Sequence, residues 1–424
     1  MAPWSIDELH GPDGEDWRVP VSELESRITE LSNNLAEAGI EAALIQSPVD
    51  LYYYAGGRQN GALLIPAVDS AASTEQGGDG ATFFVRRSVE RAKFEAGADD
   101  SCLEIQKFPS LRIFAETLTN MGIDGGIGLQ LGEIPADFGQ KFKSALAPLG
   151  EGKDCTAIVH HQRETKSDWE LEMMREGAKV QRQMFEAVKQ SVTLGATELD
   201  LVAAAEEVSR RHGFGGTVQM RRFPLQCDRA VIASGRAGGV PSFFDSAIGG
   251  TGPHPMAGMG SGFTKLEENQ PILVDLVHAH RGYVVDATRM FSIGGLSERW
   301  LERLSDMVEV SDSVVASLGR GDDCSKAWQI GSELAESMGY GEHLMGMQPD
   351  QSKFLGHSVG LQLDESPVVA RGFDRPLVDN GVMAIEPKLV FNDGSIGVED
   401  TWVKTKQGMK RLTLDDSYDL IIDC

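Results

Sequence analysis

Apolar residues recur at helical spacing along some stretches of this chain and in short unbroken runs along others. The order of the two kinds of pattern divides it. Leu24, Ile28, Leu31 and Leu35 form a stripe at three- and four-residue intervals that stops before Gly39, which predicts a helix. Ser22 and Glu25 have capping-box spacing at its start. Ala42 to Ile45 and Ala81 to Val85 read as buried strands, and Leu51 to Gly57 follows a turn at Ser47-Pro48. Residues 1–155 are therefore expected to form an α/β domain, and they carry no phosphate loop, histidine cluster or nucleophile elbow.

After Cys155 the pattern changes. Ser167 with Glu170 caps a long predicted helix whose stripe includes Leu171, Met174, Ala178, Phe185 and Val188. A second helix starts at Thr197, with Asp200 three residues on, and ends in Arg210, Arg211, His212 and Gly213. Strand-like, Gly-rich sequence then runs to Phe291. The order repeats with a helix from Ser297 through Leu301, Leu304, Val308 and Val315 to Gly319, a shorter one from Ser325 to Gly339, and strands to Thr405. Two successive helix–helix–strand units predict a duplicated α+β domain over residues 156–424, with pseudo-twofold symmetry.

Length and charge narrow the picture. A chain of 424 residues exceeds one ordinary core and suits two domains. With 64 Asp and Glu against 39 Lys and Arg, the net charge of −25 argues against nucleic acid and anionic membranes as partners. The five cysteines are scattered without a Cys-x-x-Cys pair, so neither a zinc knuckle nor a disulfide framework is readable. The opening residues lack a basic, then apolar, leader pattern, and no apolar run approaches the ~18 residues of a membrane span. A cytoplasmic, soluble protein is the expectation.

Candidate chemistry sits in the second domain. Asp275 lies in Ile272-Leu273-Val274-Asp275-Leu276-Val277 and Asp286 in Tyr283-Val284-Val285-Asp286-Ala287. His357 lies in Gly356-His357-Ser358-Val359, Glu386 in Met383-Ala384-Ile385-Glu386-Pro387, and Glu399 in Ile396-Gly397-Val398-Glu399. Four carboxylates in core-like surroundings would each carry a desolvation cost of several kcal/mol, which implies either solvent exposure or cation partners, and two divalent cations would offset it. One histidine among carboxylates suits Mn, Fe, Co or Zn.

This ordered set resembles the pita-bread metallohydrolase superfamily of methionine aminopeptidase, Xaa-Pro aminopeptidase, prolidase and creatinase. The resemblance covers residues 156–415, including Arg163-Glu164-Thr165-Lys166-Ser167 with Glu170, and extends more weakly to residues 20–155, which look like the N-terminal domain of the creatinase and prolidase branch. It implies a di-metal centre in which Asp275 chelates one ion, Asp286 and Glu399 bridge, and His357 and Glu386 bind the second. It also implies a homodimer, with Trp4, Trp17 and Tyr52 to Tyr54 as candidates to cover a neighbouring subunit's cleft. Arg236, Phe243 and Phe244 fall where family members contact substrate.

Four positions depart from the peptidase pattern. Lys353 and Asp364 stand where a histidine usually precedes and follows the ligand histidine, and Gly397 stands where an arginine is common. His254 is the best match to a substrate-side histidine, at a longer spacing than usual. The expected reaction is hydrolysis of a Xaa-Pro-type amide in a small molecule or short peptide. A water bridging two divalent ions would attack the carbonyl, with Glu386 accepting its proton and His254 or Asp364 serving the intermediate or the leaving nitrogen. A lyase of the dimethylsulfoniopropionate type with Asp364 as base, and a non-catalytic binding module, are the alternatives.

Overall fold

The computed structural model describes residues 10–70, 80–223, 227 and 230–424. The chain separates into two compact units, Met1–Arg163 and Glu164–Cys424. That division falls eight residues beyond the expected 155/156 boundary. Gln162 explains why the intervening turns stay with the first unit: it accepts from Tyr54 Oη at 2.8 Å and donates to the Arg27 carbonyl at 2.8 Å.

The first unit is an α/β layer. Its helices are α1 (Val21–Glu37), α2 (Pro48–Ala55), α3 (Val89–Glu95), α4 (Phe114–Asn120), α5 (Ala136–Leu146) and α6 (Thr156–Glu164). Its strands are β1 (Ala42–Ile45), β2 (Gly61–Pro66), β3 (Thr82–Val85), β4 (Glu104–Lys107), β5 (Ile127–Leu129) and β6 (Lys153–Asp154), in the sheet order β4-β3-β2-β1-β5-β6. Leu24, Ile28, Leu31 and Leu35 are all buried, as their spacing requires. The capping box expected of Ser22 and Glu25 does not form. Helix α1 starts after Pro20 and has no side-chain cap, so Ser22 already lies inside the first turn.

Residues 51–55 belong to α2, which opens on Pro48 and closes on Gly56 at φ 69°. That helix turns Tyr53 and Tyr54 inward. The Arg27 guanidinium lies 4.1 Å from the Tyr53 ring centroid, and both rings are buried, so they are core residues rather than a cover for a neighbouring subunit. Trp4 lies outside the described residues.

The second unit holds two helix pairs, each followed by antiparallel strands. The first pair is α7 (Asp168–Ser191) and α8 (Glu198–Arg211), then β7 (Ala230–Ser234), β8 (Ile272–His280) and β9 (Tyr283–Ser292). The second pair is α9 (Glu298–Arg320) and α10 (Cys324–Ser337), then β10 (Phe354–Ser358), β11 (Glu365–Ala370) and β12 (Val382–Ile385). It continues with β13 (Lys388–Phe391), β14 (Gly394–Gly397), β15 (Asp400–Thr405), β16 (Gly408–Arg411) and β17 (Ile421–Asp423). Sheet orders are β17-β9-β8-β7 and β11-β10-β12-β15-β16, with β13 and β14 a separate hairpin. This is the mixed α+β architecture that the order of elements predicts.

Both expected capping boxes of this unit form, Ser167 with Glu170 and Thr197 with Asp200. In α9 the buried line runs through Trp300, Leu304, Met307, Val310 and Val314, which leaves Leu301 at 43% exposure, outside the stripe assigned to it. Among the described residues no helix is long and apolar enough to cross a membrane.

Candidate metal centre

Strand periodicity builds the floor of the site. Successive side chains of a strand point to opposite faces. On β7, β8 and β9 the face carrying Ile232, Val274, Leu276 and Ala287 packs into one hydrophobic core. The other face carries Val231, Asp275, Val277 and Asp286, all of which line a cavity of about 80 Å³. Register pairs Asp275 with Thr288 and Val277 with Asp286, so the two aspartates are diagonal neighbours across the hairpin.

The second set of strands supplies the remaining groups. His357 lies in β10 opposite Ala384 of β12, and Glu386 follows the last residue of β12. Glu399 precedes β15 and joins the sheets: its amide and carbonyl pair with the carbonyl and amide of Thr288. Thr401 Oγ1 donates to the Asp286 carbonyl at 2.9 Å and accepts from the Asp286 amide at 3.0 Å, locking the same seam. Behind it, Arg289 donates twice to Asp400 at 3.0 and 3.1 Å and once to the Glu399 carbonyl at 3.0 Å.

All five residues read as ligands converge. Asp286, His357 and Glu399 each offer a donor atom within 4.8 Å of the others, and His357 Nε2 lies 3.3 Å from Glu386 Oε1. Asp275 Oδ1, Asp286 Oδ1 and Glu399 Oε1 are buried without a hydrogen-bond partner. Buried carboxylate oxygens with no donor are costly unless a cation meets them, so this donor set fits a divalent ion.

Sequence reasoning missed Lys388. Its Nζ donates to Glu399 Oε2 at 2.6 Å and Glu386 Oε2 at 2.7 Å, and lies 3.4 Å from Asp275 Oδ2. The signal was present: a lysine two residues after Glu386, at the head of the apolar run Leu389-Val390-Phe391. Thr288 was missed too; its Oγ1 donates to Glu399 Oε2 at 2.9 Å.

These contacts set the charge states. Burial alone would lower Lys388, but Asp275, Glu386 and Glu399 outweigh it and hold the ammonium well above lysine's ordinary range. Burial, then the charges of Glu399 and Asp275, pushes Asp286 well up. Burial also raises Glu399, to about 8, against the pull of Lys388. Glu386 goes the other way: burial opposes ionisation, yet Lys388 and His357 together bring it down to about 2. The two glutamates sit equally close to Lys388, but only Glu386 also hydrogen-bonds His357, while the charges of Glu386 and Asp275 push Glu399 up. His357 is raised in turn, because its bond to Glu386 and that residue's charge exceed the effect of burial.

The substrate-side candidates scatter. Phe244 and Asp364 line the cavity. Both Asp364 oxygens are engaged by one loop: Oδ1 accepts the Arg221 amide at 2.6 Å, and Oδ2 accepts the Arg222 amide at 3.0 Å and Nε at 3.2 Å. Asp364 thus holds the 221–222 segment against the cavity. Phe243 stacks edge-on against Phe244 at 5.0 Å but is 66% exposed. His254 is exposed on a turn closed by the Ala257 amide, and Arg236 is exposed on a short 3-10 helix; neither is in the cavity wall among the described residues. Loop geometry, invisible to residue spacing, decides all of these. A wider cavity of about 730 Å³ beside α7 and β16 contains none of the predicted residues.

Comparison with known proteins agrees with this geometry. Metallopeptidase family M24 matches residues 172–406, and the creatinase/prolidase N-terminal domain matches residues 27–165. A Xaa-Pro dipeptidase of Pyrococcus furiosus is 24% identical over 394 residues, covering 92% of this chain and 98% of the relative. Among solved structures, a Xaa-Pro dipeptidase from Bacillus anthracis superposes with a TM-score of 0.75 at 20% identity, over 94% of this chain and all of that one. A prolidase from Pyrococcus horikoshii OT3 gives 0.73 at 22% identity, over 93% of this chain and 100% of its own. With the M24 match spanning more than half of the sequence and a creatinase-type domain before it, this chain is a member of metallopeptidase family M24, in the pita-bread Xaa-Pro peptidase branch.

Proposed function

We propose that the centre hydrolyses the amide bond before proline in dipeptides or short peptides, with a divalent metal ion. The observation that carries the reading is the set of three buried carboxylate oxygens without partners beside His357, in a cluster whose Asp275, Asp286, His357 and Glu386 line one cavity. Full-length similarity to Xaa-Pro dipeptidases supplies the substrate class. Asp286, His357 and Glu399 would hold the ion, with Asp275 and Glu386 beside them. Mn, Fe, Co or Zn bound there would polarise water and the scissile carbonyl.

The chain's own groups do the rest. Met220, Val231, Phe244 and Leu363 give the cavity an apolar wall against which a pyrrolidine ring packs without losing hydrogen bonds. Glu386, ionised beside Lys388, accepts the proton of the attacking water. Asp364 keeps the Arg221–Arg222 segment in place at the cavity rather than exchanging protons itself.

A panel of Xaa-Pro dipeptides, longer Xaa-Pro peptides and matched peptides without proline tests this. The Mn²⁺-loaded protein should cleave before proline, chelation should abolish turnover, and Asp286→Asn should lower kcat/KM by about 10³-fold, or about 4 kcal/mol of barrier. Release of dimethyl sulfide from dimethylsulfoniopropionate with no cleavage of any peptide would sink the reading. Unchanged activity in Asp286→Asn would do the same.

A further inference from the structure

Lys388 is built into the carboxylate cage. Its three N–H donors meet carboxylates from three separate segments: Asp275 in β8, Glu386 after β12 and Glu399 before β15. The Lys388 side chain is 1% exposed, as deep as Glu399 and deeper than Glu386 and Asp275. Space for it is reserved on the partner strand, where the β13–β14 register sets Lys388 opposite Gly397. A Cβ at position 397 would stand 2.6 Å from both Lys388 Cγ and the Pro387 carbonyl. The side chain whose place Gly397 leaves empty is thus replaced by the stem of the lysine.

We propose that the Lys388 ammonium serves as one of the cage's two cations, so that the centre takes up a single divalent ion, on Asp286, His357 and Glu399, in place of a metal pair. The inference rests on reading the centre as a divalent-metal site, and not on the substrate. Glu386 Oε2 and Glu399 Oε2 already face the ammonium, whereas Glu399 Oε1 and Asp286 Oδ1 remain without partners, and Asp275 Oδ1 is a third such oxygen, too few for a second ion on its own. One divalent ion is therefore left with donors of its own. A second would have to share oxygens with a like-charged neighbour.

Metal stoichiometry and spectrum test this without reference to turnover. Metal-depleted protein is titrated with Mn²⁺, bound metal is counted per chain, and the electron paramagnetic resonance spectrum is recorded. Wild type should bind one Mn²⁺ with the spectrum of an isolated ion. Lys388→Ala and Lys388→Met should each bind two, with the exchange-coupled spectrum of a close pair. Two ions per wild-type chain, or none, would overturn the inference, as would folded Lys388 variants that still take one. If neither variant folds, the wild-type count alone decides. Peptide cleavage is measured on the same samples. Two ions with cleavage would overturn the inference and leave the peptidase reading intact. One ion with no cleavage would uphold the inference and overturn that reading.

Discussion

Each unit of this protein buries acidic groups, and the two deal with them differently. In the first unit, Asp50 is fully buried and accepts one bond on each oxygen, from Arg163 at 2.8 Å and Gln130 Nε2 at 2.6 Å. Gln130 is fixed in turn by the amides of Gln46 and Ser47 at 2.6 and 2.9 Å. One negative charge meets one positive charge, and both carboxylate oxygens are engaged. In the second unit one ammonium meets three of the four clustered carboxylates, and three oxygens of that cluster have no partner. A cluster that exists to hold the fold together neutralises itself. A cluster left short of positive charge is prepared for something the chain does not contain.

The largest expected effect tests that contrast directly. Removing one partner of a buried ion pair costs about 3–5 kcal/mol because the other charge is stranded. Asp50→Ala and Lys388→Met should each lose stability of that order in chelated protein, measured by urea unfolding. Relative to wild type at the same Mn²⁺ concentration, the ion should close most of the gap for Lys388→Met, whose carboxylates can take another cation, and leave the gap for Asp50→Ala unchanged. Equal insensitivity to Mn²⁺ would place both clusters in the same structural class.

A third buried group avoids the problem by giving up its charge. His278 lies on β8, on the face away from Asp275, with Nδ1 2.8 Å from Ser209 Oγ. Burial, followed by the nearby His280 and His212, brings its pKa from 6.5 down to about 3. Between those two values the unfolded chain binds a proton that the folded one refuses. The stability this group contributes is therefore complete above pH 6.5 and is lost as pH falls toward 3. The slope is about 1.4 kcal/mol per pH unit. His278→Asn should remove that part of the acid dependence, seen as a flatter stability profile between neutral pH and about 5. If wild type and variant run parallel there, His278 is not held neutral by its surroundings.

What the sequence disclosed follows from periodicity. Asp275, Asp286, His357, Glu386 and Glu399 were legible because each interrupts an apolar strand-like run, and only a cation or solvent explains a carboxylate there. Lys388 was not, because a lysine heading such a run reads equally well as a side chain reaching for water. Its direction depends on the pairing of β13 with β14 and on the vacancy at Gly397, neither of which is local in sequence. Asp364 illustrates the same limit. Its position relative to His357 was visible, but its partners, the amides of Arg221 and Arg222, lie more than 140 residues earlier. The order of helices and strands in the second unit was readable as far as Thr405, and β16 and β17 beyond it were not. The loops that place His254 and Arg236 were not, since nothing in spacing fixes a loop's path.

The smallest effect separates two motifs that are indistinguishable as letters. Ser22 with Glu25 and Ser167 with Glu170 share the same spacing, one in each unit. In α7 the Glu170 amide donates to Ser167 Oγ at 3.1 Å, and the Ser167 amide donates to Glu170 Oε2 at 2.9 Å. In α1 the helix begins after Pro20, which as the N-cap residue has no side-chain acceptor to offer the first turn, and no side-chain cap forms. Ser167→Ala should therefore cost about 1 kcal/mol. Ser22→Ala should cost nothing, or gain up to ~0.5 kcal/mol, because alanine is the better residue inside a helix. Urea midpoints of the two variants check this. Equal losses would mean that α1 starts later than Val21 and that Ser22 is its cap after all, which would extend to helix ends the same lesson as the buried charges: a motif is functional only where the geometry completes it.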